Sequence, residues 1–159
     1  AFVIDGYASA GNMMSGTLFG ANDFENLTVL RKKLTKYGVV VGLILFASLG
    51  LFYVSIGKLY SNNALVREAF YNTFWLAILM QPLCAIAFIY DGMYKGMGKM
   101  KKLRNVLLIS TFLGFLPVIF LTDYFNLKLY GIWIAFIVWI FLRGLLLKLD
   151  FKNIILLNK

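Results

Sequence analysis

Asp5, Ser9, Asn12 and Gly16 recur at i, i+4, i+7 and i+11, the spacing that places four residues on one face of an α-helix. A carboxylate, a hydroxyl and an amide in line offer oxygen ligands to a proton or a small cation. That is exchange chemistry, with no bond to break. A second carboxylate, Asp91, stands in Ile89-Tyr90-Asp91-Gly92-Met93-Tyr94-Lys95-Gly96, with Lys95 one helical turn further on, at ion-pair spacing. Two readings of Asp91 stand side by side: a neutralised interface pair with Lys95, and a cation site. Gln81 precedes Pro82, whose ring leaves a helix carbonyl for a polar side chain or water to satisfy, and it reads as a kink. The expected ion- or substrate-binding set is therefore Asp5, Ser9, Asn12 and Asp91.

What is missing narrows the chemistry further. With no His in the chain, imidazole bases, His metal ligands and Ser-His or Cys-His nucleophiles are excluded. Cys84 stands alone, so neither an internal disulfide nor a thiolate cluster can form. No phosphate-binding loop, dinucleotide fingerprint or carboxylate pair at helical spacing is present. No enzyme activity, resident cofactor or metal is expected.

The elements that position these residues follow from composition. Of 159 residues, 61% are hydrophobic and 14% charged, and the mean hydropathy is +0.80. Soluble domains carry about 25% charged residues, and a chain this short leaves much of its surface in contact with solvent. The solvent is therefore lipid, and the expected fold is an all-α, polytopic transmembrane bundle. Charge-free runs cover residues 6–22, 37–57, 69–90, 105–122 and 129–142, against about 20 residues for one crossing. They predict five spans at about 1–21, 37–57, 69–94, 105–122 and 129–147. The last reaches 147 if Arg143 snorkels its guanidinium to the interface. A β-barrel would show short alternating strands instead.

Basic residues in the segments after successive spans number 4, 2, 5, 1 and 4. By the positive-inside rule this alternation places the first and third connections and the carboxyl tail in the cytoplasm. The net charge of +9 is thus a topology signal, and no nucleic-acid partner is expected. Counted back from Gly20 at ~1.5 Å per residue, Asp5 lies roughly 22 Å up, beyond the midplane of a ~30 Å core. A carboxylate there costs ~2.5–3.5 kcal/mol or more unless solvated, paired or protonated. Its stripe should face a bundle or an aqueous cavity. Gly16/Gly20, Gly38/Gly42 and Gly92/Gly96 are small-xxx-small pairs that let helices approach closely. The chain opens at Ala1 inside a hydrophobic run, without initiator Met or leader. It reads as the carboxyl-terminal piece of a longer polypeptide, with one undivided domain at 1–159.

Two stretches carry a family resemblance. Asp5-Gly6-Tyr7-Ala8-Ser9-Ala10-Gly11-Asn12-Met13-Met14-Ser15-Gly16-Thr17-Leu18-Phe19-Gly20-Ala21 resembles the eighth helix of the multidrug and toxic compound extrusion (MATE) transporters. It is closest to the branch of the DNA-damage-inducible protein F. Leu83 through Gly96, followed by Leu103-Arg104-Asn105, is similar to that branch's tenth helix and the start of its eleventh. The resemblance implies helices 8–12 of twelve, and a proton- or sodium-coupled antiporter that expels small organic, often cationic, compounds across the inner membrane. Two pseudo-symmetric lobes rock about a central cavity in such folds. The missing amino-terminal lobe is then a partner, with the bilayer and the small-molecule substrate. Asp5 and Asp91 match family acidic positions, and Asn12 falls where relatives can carry a glutamate, so one titratable group is absent here. Two alternatives are a lipid-linked sugar flippase of the same superfamily and a membrane scaffold or accessory subunit. The flippase would need a strongly cationic cavity, and the spans hold almost no basic residues.

Overall fold

A computed structural model describes residues 2–157. Every regular element among them is helical: α1 (Phe2–Gly20), α2 (Phe24–Leu51), α3 (Tyr53–Tyr60), α4 (Ala64–Leu79), α5 (Gln81–Gly96), α6 (Met100–Ile109), α7 (Leu116–Tyr124) and α8 (Lys128–Leu157). A π-helical turn, Ser110–Phe115, joins α6 to α7, so that 100–124 runs as one rod of 25 residues.

The turns are written by residues that tolerate left-handed backbone. Asn22 (φ 55°) closes α1, Gly98 (φ 67°) closes α5 and Asn126 (φ 55°) closes α7. Each turn carries the six-to-one bond of a Schellman closure: Asp23 N to Leu18 O at 2.9 Å, Lys99 N to Tyr94 O at 2.9 Å, and Leu127 N to Thr122 O at 2.9 Å. Asp23 then caps α2, accepting from the Asn26 backbone N–H at 3.0 Å and its side-chain amide at 2.8 Å. These bonds hold the Asp23 carboxyl below the usual carboxylate range.

Among the described residues three helices are long and apolar enough to cross a membrane: Phe24–Leu51, Met100–Tyr124 and Lys128–Leu157. The pair Ala64–Leu79 and Gln81–Gly96, bent by 49°, makes a fourth if it is one broken span. Five were expected. The helix that falls short is α1, whose 19 residues carry the polar stripe on one face and so dilute its apolar content. The bend lies where Pro82 predicts it, and the Gln81 side-chain amide donates to the Ala77 carbonyl at 3.0 Å beside the break.

Large apolar side chains point outward along the long helices, including Leu43, Ile44, Phe112, Leu113, Phe120 and Phe141. Such a surface suits acyl chains and no aqueous solvent. The fold is a helical membrane bundle. Its buried cluster sits at one end, where Leu27, Leu30 and Leu34 of α2, Ile89, Tyr90, Met93 and Tyr94 of α5, and Leu147, Phe151 and Ile154 of α8 meet.

Helix α5 is the hub, and small residues explain why. A Cβ added at Gly92 would overlap the Ala8 carbonyl, and one at Gly96 would overlap the Asn12 carbonyl, so α1 and α5 touch backbone to backbone. Ser15, fully buried, donates its hydroxyl to the Met93 carbonyl at 3.1 Å across the same seam. On the opposite flank Gly38 receives the Ile89 side chain, and Gly42 lies against Pro82. Two of the glycine pairs thus pack both members against a neighbour. In the third, Gly16 meets Gly96, but nothing lies within 4 Å of a Cβ at Gly20.

Candidate functional site

The close α1–α5 seam decides where the polar stripe goes. Because Ala8 and Asn12 press their carbonyls onto Gly92 and Gly96, the side chains at 5, 9 and 12 stand beside α5. There they line a cavity of about 150 Å³ with Phe88, Asp91, Gly92 and Lys95. All four residues singled out from sequence, Asp5, Ser9, Asn12 and Asp91, therefore meet in one cavity. Asp5, Ser9 and Asn12 are exposed, whereas Asp91 is 4% exposed.

Asp91 differs from expectation in its partner. Its ion pair is with Arg143 of α8, not with Lys95 one turn along its own helix. The Arg143 Nε donates to Asp91 Oδ1 at 3.1 Å, and Nη2 donates to Oδ2, a two-bond fork. The side chains are 11% and 6% exposed, so this is a buried pair. Arg143 was expected to snorkel to the interface. It turns inward instead, because a desolvated carboxylate stabilises a guanidinium that lipid would penalise. The Trp139 and Phe88 rings complete its surroundings, with centroids 5.3 Å and 6.0 Å from its guanidinium carbon.

The two carboxylates are thus unlike each other. Both oxygens of Asp91 are engaged by Arg143, which fixes α5 to α8. Asp5 makes no ion pair among the described residues and faces the cavity directly. Lys95 reaches the cavity from α5 and brings a cation to the same space. Below this level a second tie joins the same helices: the Tyr94 hydroxyl lies 3.0 Å from the Leu147 carbonyl and 2.8 Å from Asp150 Oδ2, donating to one at a time. Asp150 is also paired with Lys102 at 2.6 Å. No group of three or more His, Cys, Asp or Glu side chains among the described residues could hold a metal ion.

Sequence reasoning read Lys95 as an ion-pair partner of Asp91 and Arg143 as a snorkelling end residue, and left both out of the binding set. Part of the signal for Arg143 was present: the charge-free run 129–142 is too short to cross a bilayer, so the helix carries Arg143 with it, but the acid it meets is set by packing.

A family model described as MatE matches residues 1–121. "Protein DETOXIFICATION 45, chloroplastic" of Arabidopsis thaliana is 27% identical over 144 residues, covering 87% of this chain and 24% of the relative. "Protein DETOXIFICATION 42" of the same plant is 22% identical over 140 residues, covering 88% of the chain and 27% of the relative. The chain spans about a quarter of the length of these relatives. No solved structure matches it.

Proposed function

Because the chain belongs to the MatE family, we propose that it forms helices 8–12 of a MATE-type transporter that exports small organic, often cationic, compounds in exchange for protons or sodium. In this reading it belongs to the branch resembling the DNA-damage-inducible protein F. It lies in the inner membrane with its carboxyl end in the cytoplasm, as the basic-residue count favours. It performs transport without catalysis and needs no cofactor beyond the coupling ion.

The observation that carries the proposal is the shared cavity. Asp5, Ser9 and Asn12 from α1 meet Asp91 and Lys95 from α5 in about 150 Å³, a space for a proton, a water or a small ion and too small for a drug-sized ligand. An ion site inside one lobe fits coupling, with the organic substrate bound between lobes. Asp5 is the exchanging group in this mechanism. It takes a proton or sodium ion in one state and releases it when the cavity is rehydrated or repacked. Arg143 holds Asp91 and so keeps α5 and α8 moving as one body when α1 shifts along the glycine seam.

The test uses inside-out vesicles from cells making the complete polypeptide, with an imposed proton or sodium gradient and a fluorescent organic cation outside. Uptake into the vesicles should require one of the two gradients and stop when an ionophore collapses it. Accumulation driven by ATP with both gradients collapsed would overturn the proposal.

A further inference from the structure

A second region carries chemistry that the transport reading leaves unused. Between α2, α5 and α8 lies a groove of about 440 Å³, lined by apolar and basic side chains together. Ile86, Phe141 and Leu145 supply apolar lining, and Arg31, Lys36 and Lys148 supply basic lining. A further cavity of about 410 Å³ continues past Arg31 and Lys148 towards Lys152. No acidic residue lines either one among the described residues. The other well-placed cations of α6 and α8 have acids, Lys102 with Asp150 and Arg143 with Asp91, yet these basic residues make no ion pair among the described residues.

Arg31 is held in place and not fully used. Its Nη1 donates to the Tyr90 hydroxyl at 3.3 Å, and its guanidinium carbon lies 5.7 Å from the Phe151 ring centre. Its Nε and the neighbouring Thr35 hydroxyl are buried and make no hydrogen bond among the described residues. Buried donors of that kind are normally satisfied. The site is thus positioned, positively charged and partly apolar, on the side that the basic-residue count places in the cytoplasmic leaflet.

We propose that this groove binds an anionic phospholipid, its phosphate held by Arg31, Lys36 and Lys148 and an acyl chain lying along Ile86, Phe141 and Leu145. Charge complementarity selects the occupant. A neutral lipid or an apolar helix would leave the basic cluster unmatched, while free phosphate would leave the apolar lining exposed. Basic pockets between membrane helices on the cytoplasmic side recognise anionic head groups in this manner. The bound lipid would tie α2 to α8 across the end of α5.

The experiment is native mass spectrometry of the full polypeptide in mild detergent, titrated with phosphatidylglycerol or with phosphatidylcholine of the same chains. Phosphatidylglycerol should bind more tightly. Each basic residue removed should weaken it about fivefold, the effect of one Lys or Arg facing an anionic lipid surface. The exposed pair K36Q/K148Q, which leaves the packing intact, should therefore lose about 25-fold, and K58Q at the other helix ends should lose nothing. R31Q should add about another fivefold, provided its melting temperature shows that it is folded. Equal retention of both lipids, unchanged binding in K36Q/K148Q, displacement of the lipid by millimolar inorganic phosphate, or no lipid bound at all would each overturn the proposal.

Discussion

Arg143→Gln and Asp91→Asn remove opposite halves of the buried ion pair, and the structure says they should not be equivalent. Losing one partner of a buried pair typically costs about 3–5 kcal/mol, because the survivor is left charged and unsolvated. With Arg143 gone, the stranded Asp91 carboxylate has an escape: it can take a proton. At pH 7 that costs an ordinary carboxylate about 4 kcal/mol, from 1.36 kcal/mol for each of the roughly three units above ~3.9. At pH 5.5 the cost falls to about 2 kcal/mol. With Asp91 gone, Arg143 has no such escape, since a guanidinium is not deprotonated in a protein. It must pull in water or swing to the interface past Trp139 and Phe88.

Both single variants should therefore melt lower than the parent, and Asp91→Asn should melt lowest. Stability of Arg143→Gln should recover as pH falls from 7 to 5.5, because its folded form holds a proton that its unfolded form lacks. That of Asp91→Asn should not respond. The double variant D91N/R143Q, with two neutral groups that can bond each other, should regain most of the loss. The assay is thermal unfolding of the detergent-purified protein, followed by size-exclusion chromatography with fluorescence detection. At ~2–4 °C per kcal/mol for a chain of this size, the singles should fall by about 6–20 °C. A double variant as unstable as the sum of the singles, or an Arg143→Gln melt that ignores pH, would refute the argument.

Glycine substitutions separate a close approach from helix propensity. Gly92→Ala and Gly96→Ala put a Cβ onto backbone carbonyls of α1 that cannot rotate away, and should cost about 1–3 kcal/mol in unfolding experiments. Gly20→Ala meets nothing within 4 Å and should be neutral or stabilising by up to about 1 kcal/mol. Tyr94→Phe removes the hydroxyl shared by the Leu147 carbonyl and Asp150, and a loss of about 1.5–3 kcal/mol should appear in the same melts. For orientation, in a Cys84→Ser background, Lys36→Cys and Lys101→Cys should resist an impermeant thiol reagent added outside intact cells, while Asn62→Cys labels. The reverse pattern would invert the topology.

How much was legible in the sequence depended on whether a feature was local. The stripe at 5, 9 and 12 is a periodicity, and one helix expresses it whatever surrounds it. The bend at Pro82 is equally local, set by a ring, whereas the left-handed turns at Asn22, Gly98 and Asn126 emerged only in the structure. What could not be read was which element faces which. Lys95 sits at the helical spacing for Asp91, yet the carboxylate turns to Arg143, 52 residues away. That choice is made by tertiary packing, where a fork of two bonds from a buried guanidinium outcompetes an exposed ammonium that water already solvates. Five charge-free runs correspond to only three or four helices apolar enough to cross among the described residues, for a related reason. A helix that keeps polar residues on one face because a cavity lies beside it, as α1 does, dilutes the apolar signal on which the count relies. The glycine pairs fall between these cases, since spacing marks a close approach but not its partner.

The central claim is that Asp5 is the exchanging carboxylate. The most direct measurement is ion-driven efflux by the complete transporter carrying Asp5→Asn, against the parent at matched surface expression. Asparagine keeps the shape and hydrogen bonding of the side chain and removes its charge and exchangeable proton. Efflux should be abolished, with surface expression and substrate binding retained. Full efflux by Asp5→Asn would reduce Asp5 to a structural hydrogen-bonding residue and contradict the mechanism.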